Sequence, residues 1–208
     1  MKKLMKIVLS CLLMVMIVGC GGTSSTDKQE AVVKDFIEAI RNAEFDKAET
    51  YCTEDNKNFG SLSTMVDQLK VYQNADTYGQ TFVDETNKFV KTVFNELITS
   101  YEIKEIKEED GKYKVSVSAK MKDLSGISFD QSELTSMMQE YQTKHLSELQ
   151  KIATEKGQSA VIEKVMSDLA PTLFNSMAEK VKGVEAKDAT LNLTLVESGD
   201  TYLIEKIG

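Results

Sequence analysis

Cysteine and histidine are the side chains of this chain that are best suited to chemistry, and they are few. The 208 residues contain three cysteines, Cys11, Cys20 and Cys52, and one histidine, His145. A thiolate or an imidazole can act as a nucleophile or a base, or bind a metal. The sequence has no Cys-x-x-Cys pair, His-Glu-x-x-His motif, glycine-rich phosphate loop or serine nucleophile motif. We therefore predict no zinc site, no disulfide framework, no cofactor and no catalytic residue.

His145 and Cys52 are the candidates for acid–base or nucleophilic chemistry within the body of the chain. His145 falls on the apolar stripe of a predicted helix, beside Tyr141 and Leu149. A general base would need a pKa near neutrality, and one histidine among scattered carboxylates lacks metal-ligand spacing. We interpret His145 as a histidine at the edge of the apolar face of the helix, or as one whose polar atoms have hydrogen-bond partners. Cys52 has no histidine near it in sequence, so we interpret it as a small buried hydrophobic residue whose pKa is raised by burial.

Cys20 stands at the end of a different kind of segment. The chain starts with the positively charged residues 1–6, and residues 7–18, "IVLSCLLMVMIV", form an apolar core. Twelve residues are too few for a transmembrane helix, which needs about 20. The charged start and the apolar core match the first two regions of a secretory signal. Ile17-Val18-Gly19-Cys20 then occupies the place of the usual cleavage site.

This N-terminal segment resembles the bacterial lipoprotein signal, in which aliphatic and small residues precede a cysteine. The resemblance implies cleavage before Cys20, a diacylglyceryl group on its thiol and attachment to the extracytoplasmic face of the bacterial cell membrane. Two acyl chains anchor a protein stably, at about 0.8 kcal/mol per buried CH₂. The alternatives are an ordinary signal peptide or a single short anchor helix, with Cys20 incidental in either case.

The remaining chain is predicted to be one acidic domain. We divide the sequence into a lipoprotein signal peptide (1–19), a flexible tether (20–29) and a single domain (30–208). The net charge of the chain is -8 at pH 7, and the signal segment removes only basic residues, so the domain is more acidic still. An acidic domain is repelled by phosphate, which argues against nucleic acid as a partner and against direct adsorption to anionic lipid.

Apolar residues recur at helical spacing in the first half of the domain. Val33, Phe36, Ile37 and Ile40 share one face of a predicted first helix, and a second short helix reaches Cys52. Two further helices are predicted over 62–73 and 80–100.

Strict alternation then predicts two β-hairpins. Residues 101–107 and 113–121 flank the turn "EEDG", with the cleanest alternation over 113–121, and residues 190–196 and 201–207 flank "ESGD". Glu108, Glu109 and Asp110 lack the 12-residue spacing of a calcium loop, so we interpret them as a solvated turn.

A helical insertion, about residues 130–182, is predicted between the two hairpins. Its long first helix carries an apolar stripe and ends at Gly157, while Pro171 marks either the first turn of a further helix or a kink. Four methionines of the insertion could fill a core or line an adaptable ligand or peptide groove: Met137, Met138, Met166 and Met177.

The domain resembles the extracytoplasmic lipoprotein domains of unknown function with a nuclear-transport-factor-like or cystatin-like fold. The resemblance rests on Phe36, Ala39, Phe45 and Ala48, which match a Phe-x-x-Ala pattern repeated across two helices, and it covers residues 27–122 and 187–208. Tyr202 stands where that group often has tryptophan. The resemblance implies an α+β fold, with helices packed on a curved, roughly four-stranded antiparallel sheet and a pocket between helices and sheet.

These observations predict a non-catalytic binding or interaction domain that is anchored to the membrane through Cys20. Its partner would be a small apolar or amphipathic ligand in a pocket, or a segment of an envelope protein. One alternative is an enzyme of the ketosteroid-isomerase-like kind, with a carboxylate base and tyrosine donors. Another is a structural envelope protein that acts through a protein partner.

Overall fold

The computed structural model of the chain describes residues 26–56, 71–128 and 130–208. The predicted signal peptide, the lipidation site Cys20 and the predicted helix over 62–73, up to residue 70, lie outside these ranges. The first described helix begins at Asp27, so the last three residues of the predicted tether are helical. None of the described helices is long and apolar enough to cross a membrane.

Six helices and four strands make up the described part of the chain. In chain order they are α1 (Asp27–Arg41), α2 (Phe45–Glu49), α3 (Ala75–Tyr78), α4 (Gln80–Leu97), β1 (Ile98–Glu109), β2 (Lys112–Lys122), α5 (Gln131–Lys156), α6 (Gln158–Gly183), β3 (Ala186–Ser198) and β4 (Thr201–Ile207). Short 3-10 turns lie at Glu54–Asn56 and Val71–Gln73.

The four strands form one antiparallel sheet in the order β1-β2-β3-β4. Asp110 and Gly111 close the first hairpin with φ of 53° and 72°. Two positive φ values in a two-residue loop are typical of a type I′ turn, whose twist suits paired strands. The second hairpin closes at Gly199 and Asp200, also with a positive φ at the glycine. Both predicted hairpins are confirmed.

One face of the sheet forms the main core together with α1 and α4. Alternation along β2 points Val115 and Val117 inward, where both are buried. Val33 and Ile37 of α1 are buried against this face, in the same cluster as Phe94 of α4. The predicted α+β class, with helices packed on a four-stranded antiparallel sheet, is confirmed.

The helix predicted over 80–100 ends three residues early. β1 follows α4 without a loop, because Ile98 is already buried in the core and paired with Met121 of β2. Long-range pairing with β2 outweighs the helical pattern of the preceding residues at this point.

Helices α5 and α6 form the insertion between β2 and β3, as predicted. Asp130 caps α5 by accepting hydrogen bonds from the backbone N–H groups of Ser132 and Glu133, and Gly157, with φ of 85°, separates the two helices. α6 continues through Pro171, so the interpretation of this proline as a first-turn residue is wrong. α6 packs along α4 and thereby connects the insertion to the rest of the domain.

Candidate functional site

Cys52 does not have the environment of a nucleophile. Its side chain is buried, and its Sγ–H donates to the carbonyl oxygen of Ala48 at 3.8 Å. Burial, assisted by the charge of Glu49, raises its pKa to about 11, although a hydrogen bond with Asn56 opposes the shift. The predicted burial of Cys52 is confirmed, and a thiol with a raised pKa is mostly protonated at neutral pH.

His145 belongs to a polar cluster that joins α5 to α6. Its ring stacks on Tyr141 at 4.4 Å between centroids, and its Nδ1 lies 3.0 Å from a carboxylate oxygen of Glu148. Lys164 of α6 lies 3.6 Å from Glu148 and 2.6 Å from Asp168. The imidazole is half-exposed and lines neither the apolar cleft nor the three other recesses described below. This arrangement fits a histidine at the edge of the apolar face of α5, with a hydrogen-bond partner for its Nδ1.

The centre of this cluster is the hydrogen bond from the Tyr141 hydroxyl to Asp168, at 2.6 Å. Burial and the neighbouring carboxylate raise the pKa of Tyr141. Burial would raise the pKa of Asp168 as well, but hydrogen bonds from Lys164 and Tyr141 outweigh it and hold that pKa below its usual value. Asp168 is therefore ionised at neutral pH and keeps both partners.

The described ranges contain no group of three or more His, Cys, Asp or Glu with metal-binding geometry.

The apolar stripe of α5 is only partly covered. Tyr141 and Leu149 are the residues of this helix that are buried, and they pack against Val165 of α6. Met138 and Leu146 are exposed. An apolar helix face that remains in contact with water marks a candidate interaction surface.

Beside this stripe lies an apolar cleft of about 300 Å³, which we call the α4–α6 cleft. α6 forms its floor, α4 forms one wall and α5 forms the other. Its volume is at the lower end of the range for small-molecule pockets. The cleft is lined by Tyr72, Phe82, Thr86, Phe89, Leu134, Met138, Val165, Met166, Leu169, Ala170, Leu173 and Phe174.

Aromatic rings build the wall between α4 and α6. The ring of Phe174 lies 5.4 Å from those of both Phe82 and Phe89, and Tyr72 lies 6.3 Å from Phe82. These separations are typical of packed aromatic pairs, which fix the wall in place. Gly79 permits the close approach of α4 to α6, because a Cβ at this position would collide with Oγ of Ser167.

The lining of the cleft is almost free of polar groups. Thr86 is buried, and its hydroxyl donates to the carbonyl oxygen of Phe82 at 2.8 Å. No lining residue is charged. The cleft can therefore hold apolar groups, and it presents no acid or base to a bound molecule.

One end of the cleft is open to solvent. Ile162 precedes Met166 by one helical turn and continues the floor in that direction. Four large apolar side chains are exposed in the described ranges. Tyr72 (43%) and Met138 (38%) line the cleft, and the other two are Leu146 (56%) and Ile162 (46%).

The four methionines of the insertion divide between the two predicted roles. Met138 and Met166 line the cleft, whereas Met137 and Met177 lie in the tightly packed seam between α5 and α6. The cleft also differs in position from the predicted pocket between helices and sheet, because the main core fills that space. Sequence reasoning did not identify Leu169 or Leu173 as site residues, although α6 carries apolar residues on more than one face, a pattern typical of a helix with several contacts.

Two other recesses carry less information about a ligand. One, of about 630 Å³, lies by the α1–α2 turn and is open and lined by several charged residues, including Glu44 and Lys91. The other, of about 540 Å³, lies on the sheet, where Lys107, Lys114 and Lys206 lie near Glu105 and Glu109. In the first recess Glu44 is already paired with Lys47, at 3.1 Å.

Comparison with known proteins identifies no relative of this chain. No protein-family model, curated protein or solved structure matches it. The likeness to nuclear-transport-factor-like lipoprotein domains thus remains a prediction from sequence. What the coordinates establish is an α+β fold with a four-stranded antiparallel sheet and an apolar cleft between three helices.

Proposed function

We propose that this chain is a lipid-anchored extracytoplasmic binding domain that does not catalyse a reaction. Its ligand is a small apolar or amphipathic molecule held in the α4–α6 cleft. The observation that carries the proposal is the cleft itself, which has about 300 Å³ of space, an apolar lining and an open end. Burying such a surface is favourable by about 25 cal/mol per Å² of apolar area removed from water.

The composition of the lining favours binding over catalysis. A ketosteroid-isomerase-like enzyme needs a carboxylate base that faces a tyrosine donor across its pocket. The lining contains Tyr72 but neither aspartate nor glutamate. A general base must reach its proton within hydrogen-bond distance, and no lining residue offers one.

The anchor rests on the sequence of the N-terminus. With diacylglyceryl-Cys20 in the membrane, the tether would hold the domain close to the bilayer surface, because α1 begins only seven residues later, at Asp27. Substitution Cys20→Ala should move the protein from the membrane fraction to the soluble fraction and abolish incorporation of labelled fatty acid. Continued lipid labelling of the variant would contradict the anchor.

A protein partner is the second candidate, and one observation favours it. Ile162, one helical turn before Met166, is exposed beyond the residues that line the cleft, so the apolar surface extends past the space that a small ligand would fill. A structural envelope protein could use this larger surface for a helix of its partner, with apolar anchors at helical spacing.

The test of the binding proposal uses the neutral fluorophore N-phenyl-1-naphthylamine, whose emission rises in apolar sites. The protein begins at residue 20 and carries Cys20→Ser, because every described helix and strand lies beyond that point. We expect saturable binding to this protein. Met138→Glu should weaken binding at least tenfold. The new carboxylate is exposed in the free protein, but a bound ligand would cover it and leave it without a partner, which is costly.

Leu203→Glu is the matched control. Leu203 is half-buried and adjoins the buried Ile204 in β4, so it points to the opposite face of the sheet. This variant should bind the fluorophore as the parent protein does. Equal loss of binding in both variants, or no saturable binding to the parent, would contradict the proposal.

A further inference from the structure

We infer that the ligand of the α4–α6 cleft is a single alkyl chain, whose tail lies at the Leu173 end and whose polar end lies near Ile162. This inference rests on the proposed function and specifies the chemistry of its ligand. It follows from the charge of the lining, the volume of the cleft and the exposure of its two ends.

The cleft has no free charged group for a ligand, so the part of the ligand that contacts the lining should be uncharged. The ionic groups nearest the Leu173 end are already paired with each other, since Lys180 lies 3.0 Å from Glu133, and Ser176 donates to the same carboxylate at 3.3 Å. The lining itself contains no charged residue. A charged or hydrogen-bonding group of a ligand would therefore lose its hydration in the cleft without gaining a protein partner. An alkyl chain makes no such demand.

The volume of the cleft matches that of one alkyl chain. A methylene group occupies about the space of a liquid water molecule, about 30 Å³, so a cleft of about 300 Å³ holds roughly ten methylenes. Both chains of a diacyl phospholipid would need about twice that space. The ligand is therefore a single-chain amphiphile.

The exposure of the two ends sets the orientation of the chain. At one end Phe174 is buried, and Phe89, Leu134 and Leu173 are half-buried. At the other end Tyr72 and Ile162 are exposed to almost half of their full extent. A polar headgroup keeps its hydration only at the exposed end, so the tail lies between Phe89 and Leu173.

Single tryptophans report on both ends, because the natural chain has no tryptophan. Phe89→Trp places the reporter at the tail end, and Tyr72→Trp places it at the open end. Tyr113→Trp, on the sheet beside Tyr202, is the control away from the cleft. The protein begins at residue 20 with Cys20→Ser, as above.

Each reporter is titrated with n-alkyl carboxylates that carry a quenching bromine at the terminal or at the second carbon, below the concentration at which they form micelles. We expect the terminal bromine to quench Phe89→Trp more than Tyr72→Trp, and the second-carbon bromine to do the reverse. Tyr113→Trp should respond to neither. Over chains of about six to about sixteen carbons, the Kd should fall about fourfold per methylene up to roughly ten methylenes and then level off.

Several results would overturn the inference: no saturable quenching, equal quenching of the control, the opposite orientation, or a Kd that keeps falling through the longest chains. Saturable binding of an amphipathic helical peptide with no binding of alkyl chains would assign the cleft to a protein partner. If the alkyl series fails while N-phenyl-1-naphthylamine still binds in a Met138-dependent way, only the ligand class is wrong. If both probes fail, the proposed binding function is wrong as well.

Discussion

The Tyr141 hydroxyl on α5 donates to the Asp168 carboxylate on α6 at 2.6 Å. α5 packs mainly on α6, so this bond helps to hold the outer wall of the cleft in place. Tyr141 is buried at this contact, whereas Met138, three residues earlier on α5, remains exposed. The geometry of the candidate site thus depends on a polar contact between two helices of the insertion.

Tyr141→Phe should lower the free energy of unfolding by about 1 kcal/mol. A hydrogen bond to a charged group contributes more than this when buried, but about a third of the Asp168 side chain is exposed and water screens the interaction. Urea unfolding measures the loss, and amide exchange in α5 should be faster than in the parent. Tyr72→Phe, at an exposed tyrosine, should leave both unchanged. Unchanged exchange in α5 of the Tyr141 variant would contradict this role.

Lys122→Met should destabilise the fold by about 2–3 kcal/mol. The Lys122 side chain is 7% exposed, pairs with Glu96 of α4 and donates to the carbonyl oxygens of Val181 and Lys182 at the end of α6, at 3.2 and 2.7 Å. Removal of the lysine leaves a partly buried carboxylate and two carbonyls without this donor.

Lys120→Met provides the matched control for that prediction. Lys120 lies on the same strand and pairs with Asp188, but both side chains are largely exposed, and such surface pairs contribute about 0–1 kcal/mol. Thermal and urea unfolding of the two variants compare the pairs directly. Equal stability of the two variants would show that Lys122 does not connect α4, β2 and α6.

Gln29→Leu should leave the fold as stable as the parent or stabilise it by up to about 1 kcal/mol. Gln29 is fully buried in α1, and neither polar atom of its amide has a hydrogen-bond partner in the described structure. Removal of an unsatisfied buried amide recovers its desolvation cost, and leucine favours helix. Gln29→Ala should instead destabilise, because it leaves a cavity. Urea unfolding distinguishes the pair, and a leucine variant as unstable as the alanine variant would refute the idea.

Cys52 should make the stability of the fold fall as the pH rises from about 9 to about 11. The folded-state pKa is about 11, against an ordinary value of 9.0, because burial disfavours the thiolate. Below pH 9 the thiol is protonated in both the folded and the unfolded state, so the fold keeps all of the stability that depends on this group. Above pH 9 the unfolded chain loses the proton first, which stabilises the unfolded state by up to about 3 kcal/mol.

The measurement is urea unfolding at several pH values across this range, for the Cys20→Ser protein and for the same protein with Cys52→Ala. The second protein should have a flatter dependence of stability on pH. The native thiol should also resist iodoacetamide at pH 8 until urea is added. Parallel pH profiles or rapid labelling of the folded protein would contradict a buried Cys52.

Local patterns predicted most of the fold. The spacing of Val33, Phe36 and Ile37 is sufficient to predict α1, and a two-residue turn between alternating runs is sufficient for each hairpin, since neighbouring residues determine both features. The end of α4 at Leu97 was predicted less well, because it depends on pairing of Ile98 with a strand that comes later in the chain.

The candidate site could be predicted only in part, for the same reason. The stripe of α5 indicated an apolar face, but it could not indicate that α4 and α6 would leave that face uncovered. Gln29 lies one helical turn before Val33, which places it on the buried face, yet only tertiary structure shows that its amide lacks a partner. Lys122 lies at the end of an alternating strand, and its bonds to α6 join residues about 60 positions apart.

The most direct test of the proposed binding function is mass spectrometry of the intact protein isolated from its native host. We expect the isolated protein to carry a bound molecule that has one alkyl chain and is lost on denaturation. The Met138→Glu protein, isolated in the same way, should carry much less of it, and the Leu203→Glu protein should carry as much as the parent. A parent protein that carries no such molecule, or equal occupancy in the Met138→Glu protein, would contradict the assignment of the α4–α6 cleft as the binding site.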